Sequence, residues 1–97
     1  MILTRGRPLF DLGRTVATPG ALGALLEETH VGVWGFLQRH LTGDWGDLDR
    51  EAAAANDNAV RHGLRILSAY HLPNGTKLWI ITEADRSVTT LLLPEDY

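Results

Sequence analysis

The stretch Leu64 to Leu93, LRILSAYHLPNGTKLWIITEADRSVTTLLL, decides the fold. From Leu64 the pattern alternates: Leu64, Ile66, Ser68 and Tyr70 share one parity, and Arg65, Leu67, Ala69 and His71 the other. That period of two belongs to a strand, whose successive side chains point to opposite faces. Pro73, Asn74 and Gly75 carry turn chemistry, so Lys77–Thr82 returns as a second strand. A further turn over Ala84–Ser87 leads into a third, Val88–Leu93. Three strands joined this closely form an antiparallel meander. The consecutive apolar residues Trp79, Ile80 and Ile81 place the middle strand in the centre of the sheet, covered on one face or both.

Upstream of this stretch the period is helical. Thr18, Pro19 and Gly20 read as a helix start, with Thr capping free backbone donors and Pro tolerated at the first helical position. That helix carries Leu22, Leu25 and Leu26 and runs to Glu28. A second helix is predicted over Val31–Leu41, where Val33, Trp34, Leu37 and Leu41 recur at spacings of three and four. Thr42 and Gly43 end it, and TGDWG, Thr42–Gly46, makes a tight loop that sets Trp45 against the core. Asp47 or Asp49 caps a third helix, Glu51–His62, whose alanine run favours helix while burying little area; Gly63 stops it. Ahead of all three, Pro8–Val16 alternates weakly around Phe10, Leu12 and Val16 and predicts a short strand, interrupted at Gly13. The pattern leaves open whether that strand joins the meander. The expected fold is α+β, one domain over residues 1–97 with helices covering one face of a three- to four-stranded antiparallel sheet.

Size and composition bound the function. Ninety-seven residues support one modest core and leave no room for a catalytic domain beside a regulatory one. Nine Lys and Arg against twelve Asp and Glu give a net charge of −3, so no global positive field recruits nucleic acid. The absence of cysteine removes disulfides, thiolate metal sites and cysteine nucleophiles. Arg5, Arg7 and Arg14 interrupt the N-terminal apolar runs, so neither a signal peptide nor a membrane span is expected there, and the cytoplasm is the expected compartment. His30, His62 and His71 show no metal-ligand spacing, and the chain has no phosphate-binding glycine loop, dinucleotide fingerprint or nucleophile elbow. No metal and no cofactor are expected.

Four residues stand out for chemistry. His40 closes the second helix just before the glycine-flanked Asp44. A histidine held by a carboxylate serves as general acid or base near neutral pH, and one at a helix C-terminus equally serves as a cap. Arg65 and Arg86 lie at strand ends, where a guanidinium fork suits phosphate. Arg86 sits in an acidic turn, TEADRS, with Glu83 and Asp85 as local partners. Thr82, with Thr89, Thr90, Ser68 and Tyr70, supplies hydroxyls on neighbouring strands, where threonine is also a favoured packing residue.

RHLTGDWG at Arg39–Gly46, the spaced Asn56, Ala59, Gly63 and Arg65, then RILSAY, and TKLWIITEADRSVTTLLLPEDY to the C-terminus together resemble a family of short proteins encoded on plasmids, integrative elements and prophages. The resemblance covers nearly the whole chain and implies a mobile genetic element and a role in host defence. Length and the lack of an adenosylmethionine-binding motif exclude a methyltransferase subunit. The order of elements is also similar to that of the barnase, EndoU, colicin and RelE group of small ribonucleases. This second resemblance implies metal-independent RNA cleavage, with His40 as general acid or base, Arg65 and Arg86 as phosphate ligands and Thr82 as an orienting hydroxyl.

Two functions follow as expectations. One is a toxin-like endoribonuclease using that set. The other is an acidic inhibitor of a host protein complex, of anti-restriction or anti-CRISPR type. It would present Asp44, Asp47, Asp49, Glu51, Glu83, Asp85, Glu95 and Asp96 to a basic surface, with Asp44, Trp45, Tyr70, Glu83 and Asp85 as the expected binding residues. A homodimer formed through an uncovered sheet edge is a third possibility.

Overall fold

The computed structural model describes residues 7–28 and 32–97. It is α+β, with three helices and one four-stranded mixed sheet. The order along the chain is β1 (Arg14–Ala17), α1 (Pro19–Glu27), α2 (Val33–Leu41), α3 (Arg50–His62), β2 (Ile66–His71), β3 (Lys77–Thr82) and β4 (Val88–Leu92), then a short 3-10 turn, Pro94–Asp96. The meander runs β2-β3-β4 with Ile66 opposite Thr82 and Thr82 opposite Thr89. β1 does join the sheet, adding to the free edge of β4 in parallel, Arg14 beside Val88. Parallel partners need a long crossover, and here α1, α2, α3, β2 and β3 all lie between the two strands.

Local chemistry explains the element ends. Thr18 Oγ1 accepts the Ala21 N–H at 3.1 Å and opens α1. Asp49 does the same for Ala52 at 2.8 Å and opens α3, and Gly63 closes that helix in the left-handed conformation, φ 66°. The N-terminal strand is shorter than its alternation suggests. Gly13 turns the chain at φ 65°, and a Cβ there would lie 2.4 Å from the Arg86 carbonyl oxygen. Pro8–Leu12 therefore lies outside the strand, and Phe10 and Leu12 pack across the fold instead of along the sheet edge. α2 is seen from Val33; Val31, where its start was expected, lies outside the described residues.

The helix-facing side of the sheet carries two apolar clusters. Ala21, Leu25, Phe36 and Leu37 of α1 and α2 meet Tyr70, Leu78, Ile80 and Leu91 in one. Trp45, Ala59 and Ile66 form the other, with Phe10, Leu48, Ala53 and Val60 around them. The outer edge of β2 is occupied. Asn56 of α3 donates its amide to the Leu67 carbonyl at 2.7 Å and accepts the Leu67 N–H at 3.2 Å. Two residues on, the Trp45 carbonyl accepts from Ala69 N–H at 3.1 Å and Asp47 N–H donates to Ala69 O at 2.7 Å. This cover stops further strand pairing at β2, whereas all four residues of β1 are exposed.

Gly46 makes the loop contact possible. Its φ is 78°, and a Cβ there would stand 2.0 Å from the Ala69 carbonyl oxygen. Gly46→Ala is expected to lower the unfolding free energy by about 3 kcal/mol or more, combining backbone strain with a clash that only strand displacement relieves. Gly63→Ala, at a similar φ in open space, is expected to cost about 1–2 kcal/mol. Urea denaturation of both variants checks the order, and equal losses would contradict the close approach.

Candidate functional site

His40 lies at the C-terminal end of α2 and is fully buried. Its Nδ1 is 2.5 Å from Ser68 Oγ and its Nε2 2.9 Å from Thr82 Oγ1. Thr82 Oγ1 in turn lies 2.7 Å from Thr89 Oγ1, and Thr89 donates to the Leu12 carbonyl at 2.7 Å. That carbonyl can only accept, so it orders the protons of Thr89, Thr82 and His40 Nε2. Thr89 gives its proton to Leu12, Thr82 gives its own to Thr89, His40 Nε2–H donates to Thr82, and Ser68 donates to Nδ1. The order fixes Nε2–H; burial keeps the ring neutral, and a neutral ring accepts the Ser68 proton at Nδ1. Burial, and after it the charge of Arg86, pull its pKa down to about 4.

Of the residues expected to act in catalysis, His40 and Thr82 are in contact, and Arg86 is close by. Phe10 lies between: its ring meets the His40 ring edge-on at 5.2 Å, and the Arg86 guanidinium stands 5.5 Å from its centroid. The Arg86 fork is spent on backbone. It donates to the carbonyls of Leu64 at 2.6 Å, Ala59 at 2.9 Å and Glu83 at 3.3 Å, tying the end of α3 to the β3–β4 turn. The local partners are thus carbonyl oxygens and not the Glu83 and Asp85 carboxylates. Arg65 is on the opposite side of the sheet, donating to the Tyr97 hydroxyl at 2.9 Å and 3.5 Å from Glu83.

The expected binding residues divide in two. Trp45 and Tyr70 are interior: Trp45 donates its indole N–H to Asp57 at 3.0 Å, and the Tyr70 hydroxyl donates to the Asp44 carbonyl at 2.7 Å. Burial pushes the Tyr70 phenol up to about 12. Asp44, Glu83 and Asp85 reach the surface, where each serves local structure. Asp44 accepts from Arg39 Nε at 2.7 Å and Glu83 faces Arg65; the Ser87 hydroxyl, and after it the Ser87 N–H 3.0 Å from Asp85, hold the Asp85 carboxyl below the usual range.

One arrangement escaped the sequence reading. Asp47, fixed through its backbone to Ala69, places Oδ2 against His71 Nδ1. The pair opens on a cavity of about 250 Å³ lined also by Leu48, Ala69, Tyr70, Lys77 and Trp79. It lies on the sheet face away from the α1–α2 core. The usable signal was His71 and Lys77 flanking a short turn on one parity; the carboxylate, 24 residues away, has no local signature. Among the described residues no group of three or more His, Cys, Asp or Glu side chains is placed to hold a metal ion.

The buried imidazole makes stability depend on pH. Between 6.5 and about 4 the unfolded chain takes up a proton at His40 that the folded chain refuses. Unfolding free energy therefore falls as pH drops below 6.5, and the loss is complete once pH passes below about 4. The expected loss from this group is about 3 kcal/mol. Urea denaturation at neutral pH and at about pH 4, compared with His40→Gln, reads it; identical pH dependence in the two proteins would contradict a neutral buried His40. His40→Ala is expected to cost about 3 kcal/mol at neutral pH, from the cavity and the hydroxyls left without partners.

No protein-family model, curated protein or solved structure matches the chain.

Proposed function

We propose that this protein acts by binding a host protein, as an inhibitor carried by a mobile element, and that its contact surface is apolar. One observation carries the reading: Leu22 and Leu26 on α1 and Val33 and Trp34 at the start of α2 are exposed, Leu26 by 68% and Trp34 by 58%. Helix α1 carries apolar side chains on both its inner and outer sides, with Ala21 and Leu25 inward and Leu22 and Leu26 outward. A helix of that kind needs cover on both sides, and an exposed tryptophan beside leucines is the composition of an interface centre. The acidic side chains contribute less than their number suggests, because Asp44, Asp49, Glu83, Asp85 and Asp96 are already engaged in caps, turns and ion pairs.

The ribonuclease reading has one observation in its favour, the His40–Thr82 contact with Arg86 on the Phe10 ring beside it. Cleavage by that set requires the Leu9–Leu12 segment to lift, since in place it accepts the Thr89 proton and keeps RNA from the imidazole. An inhibitor needs no such opening.

The two readings separate in a paired experiment. The wild-type protein is expected to leave RNA intact in EDTA and to retain one host protein at near-equimolar ratio on affinity capture. Leu26→Ser/Trp34→Ala is expected to lose that protein by at least about tenfold with an unchanged melting temperature. RNA cleavage by the wild type, or undiminished capture by the double variant, would overturn the binding reading.

A further inference from the structure

The Asp47–His71 cavity has no part in the binding surface proposed above and lies on the other side of the sheet. Three features make it a constructed site. First, the loop that carries Asp47 is locked to β2 on both sides of Gly46, by Ala69 N–H to Trp45 O at 3.1 Å and Asp47 N–H to Ala69 O at 2.7 Å. The carboxylate is thereby aimed at Nδ1 of His71. With Nδ1 engaged, ring geometry turns Nε2 away from Asp47, and the side chain is exposed. Second, His71 and Lys77 are register partners at the end of the β2–β3 hairpin, so their side chains leave neighbouring positions on the same face of the sheet. Both are exposed and both line the cavity. Third, Ala69 is paired with Trp79 across the same ladder. The small side chain leaves free the space beside the indole, which is steadied from elsewhere by the Tyr97 ring at 5.9 Å and 68°.

These groups select a ligand. The ammonium of Lys77 disfavours a metal cation, and Asp47 is already committed to His71. What remains to meet a ligand is an ammonium, an imidazole nitrogen and an aromatic face. Asp47 can only accept, so Nδ1–H is given to it; the ammonium and the Nε2–H of the imidazolium form of His71 together suit a phosphate group, and an indole face suits a planar heterocycle, with stacking sequence-tolerant because every base has a π-face. A cavity of about 250 Å³ has room for these two parts of one small molecule. We propose that this cavity binds a nucleoside monophosphate, its phosphate held between His71 Nε2 and Lys77 Nζ and its base stacked on Trp79. Asp47 is a positioning residue that holds the imidazole in the required orientation.

The test is titration of the full chain with adenosine 5′-monophosphate, adenosine and inorganic phosphate, followed by backbone amide NMR shifts. The monophosphate is expected to give saturable shifts at Ala69, His71, Lys77 and Trp79, with adenosine and phosphate each weaker by about tenfold or more, since each supplies only one of the two contacts. Lys77→Ala and His71→Ala are each expected to weaken binding about tenfold without lowering the melting temperature, both positions being exposed. Trp79→Leu is expected to bring the monophosphate down to the affinity of phosphate alone. The proposal is overturned if millimolar monophosphate gives no saturable shift, if phosphate binds as tightly as the nucleotide, or if Lys77→Ala and His71→Ala bind normally. Because the site and the α1–α2 surface are on opposite faces, either can fail while the other stands.

Discussion

The row of protons from Ser68 through His40, Thr82 and Thr89 to the Leu12 carbonyl is the constraint on which the fold turns. It joins α2 to β2, β3, β4 and the N-terminal segment, and it lies where the two apolar clusters meet. Buried polar groups cost stability unless each finds a partner. Here every polar side-chain atom in the row has a partner, and no buried side-chain nitrogen or oxygen among the described residues lacks a hydrogen bond. Apolar contact tolerates sliding; a proton order fixed by one carbonyl does not. The row therefore sets which face of α2 meets the sheet and which residues of β3 and β4 stand opposite.

The same arrangement changes the meaning of the residues that drew attention first. A histidine, an arginine and threonines near one another suggest chemistry when seen as a list of residue types. In place, the imidazole has no free lone pair, the guanidinium is divided among three carbonyls, and Phe10 lies between them. Polar side chains in a domain of this size serve as internal fasteners, because 97 residues bury too little apolar surface to dispense with them.

Much of this was legible in the sequence. The meander followed from alternation and turn residues, α3 from its Asp cap and Gly stop, and the inward Trp45 from the glycines beside it. The fate of His40 was not legible, since helix-end position suggests a cap or a base equally, and burial depends on Ser68 and Thr82, 28 and 42 residues away. The extent of β1 was missed because Gly13 accommodates a backbone that arrives from the β3–β4 turn. The Asp47–His71 pair was missed for a related reason: Gly46 reads as part of a tight local loop, whereas it provides for contact with a strand that comes later in the chain. Local patterns report periodicity and turns well, but they carry no signal for what approaches from far along the chain.

The Thr89–Leu12 bond spans 77 residues, and among the described residues β1 pairs with β4 alone. During synthesis, therefore, the helices and the first hairpin emerge before anything can close the sheet. Until β4 is free of the ribosome, β3 keeps an open edge, Thr82 lacks Thr89, and β1 has nothing to pair with. Long-range closure of this kind makes folding late and cooperative. The nascent chain accordingly passes through a period in which its most apolar strand, KLWIIT, is half unpaired and within reach of proteases and of other chains.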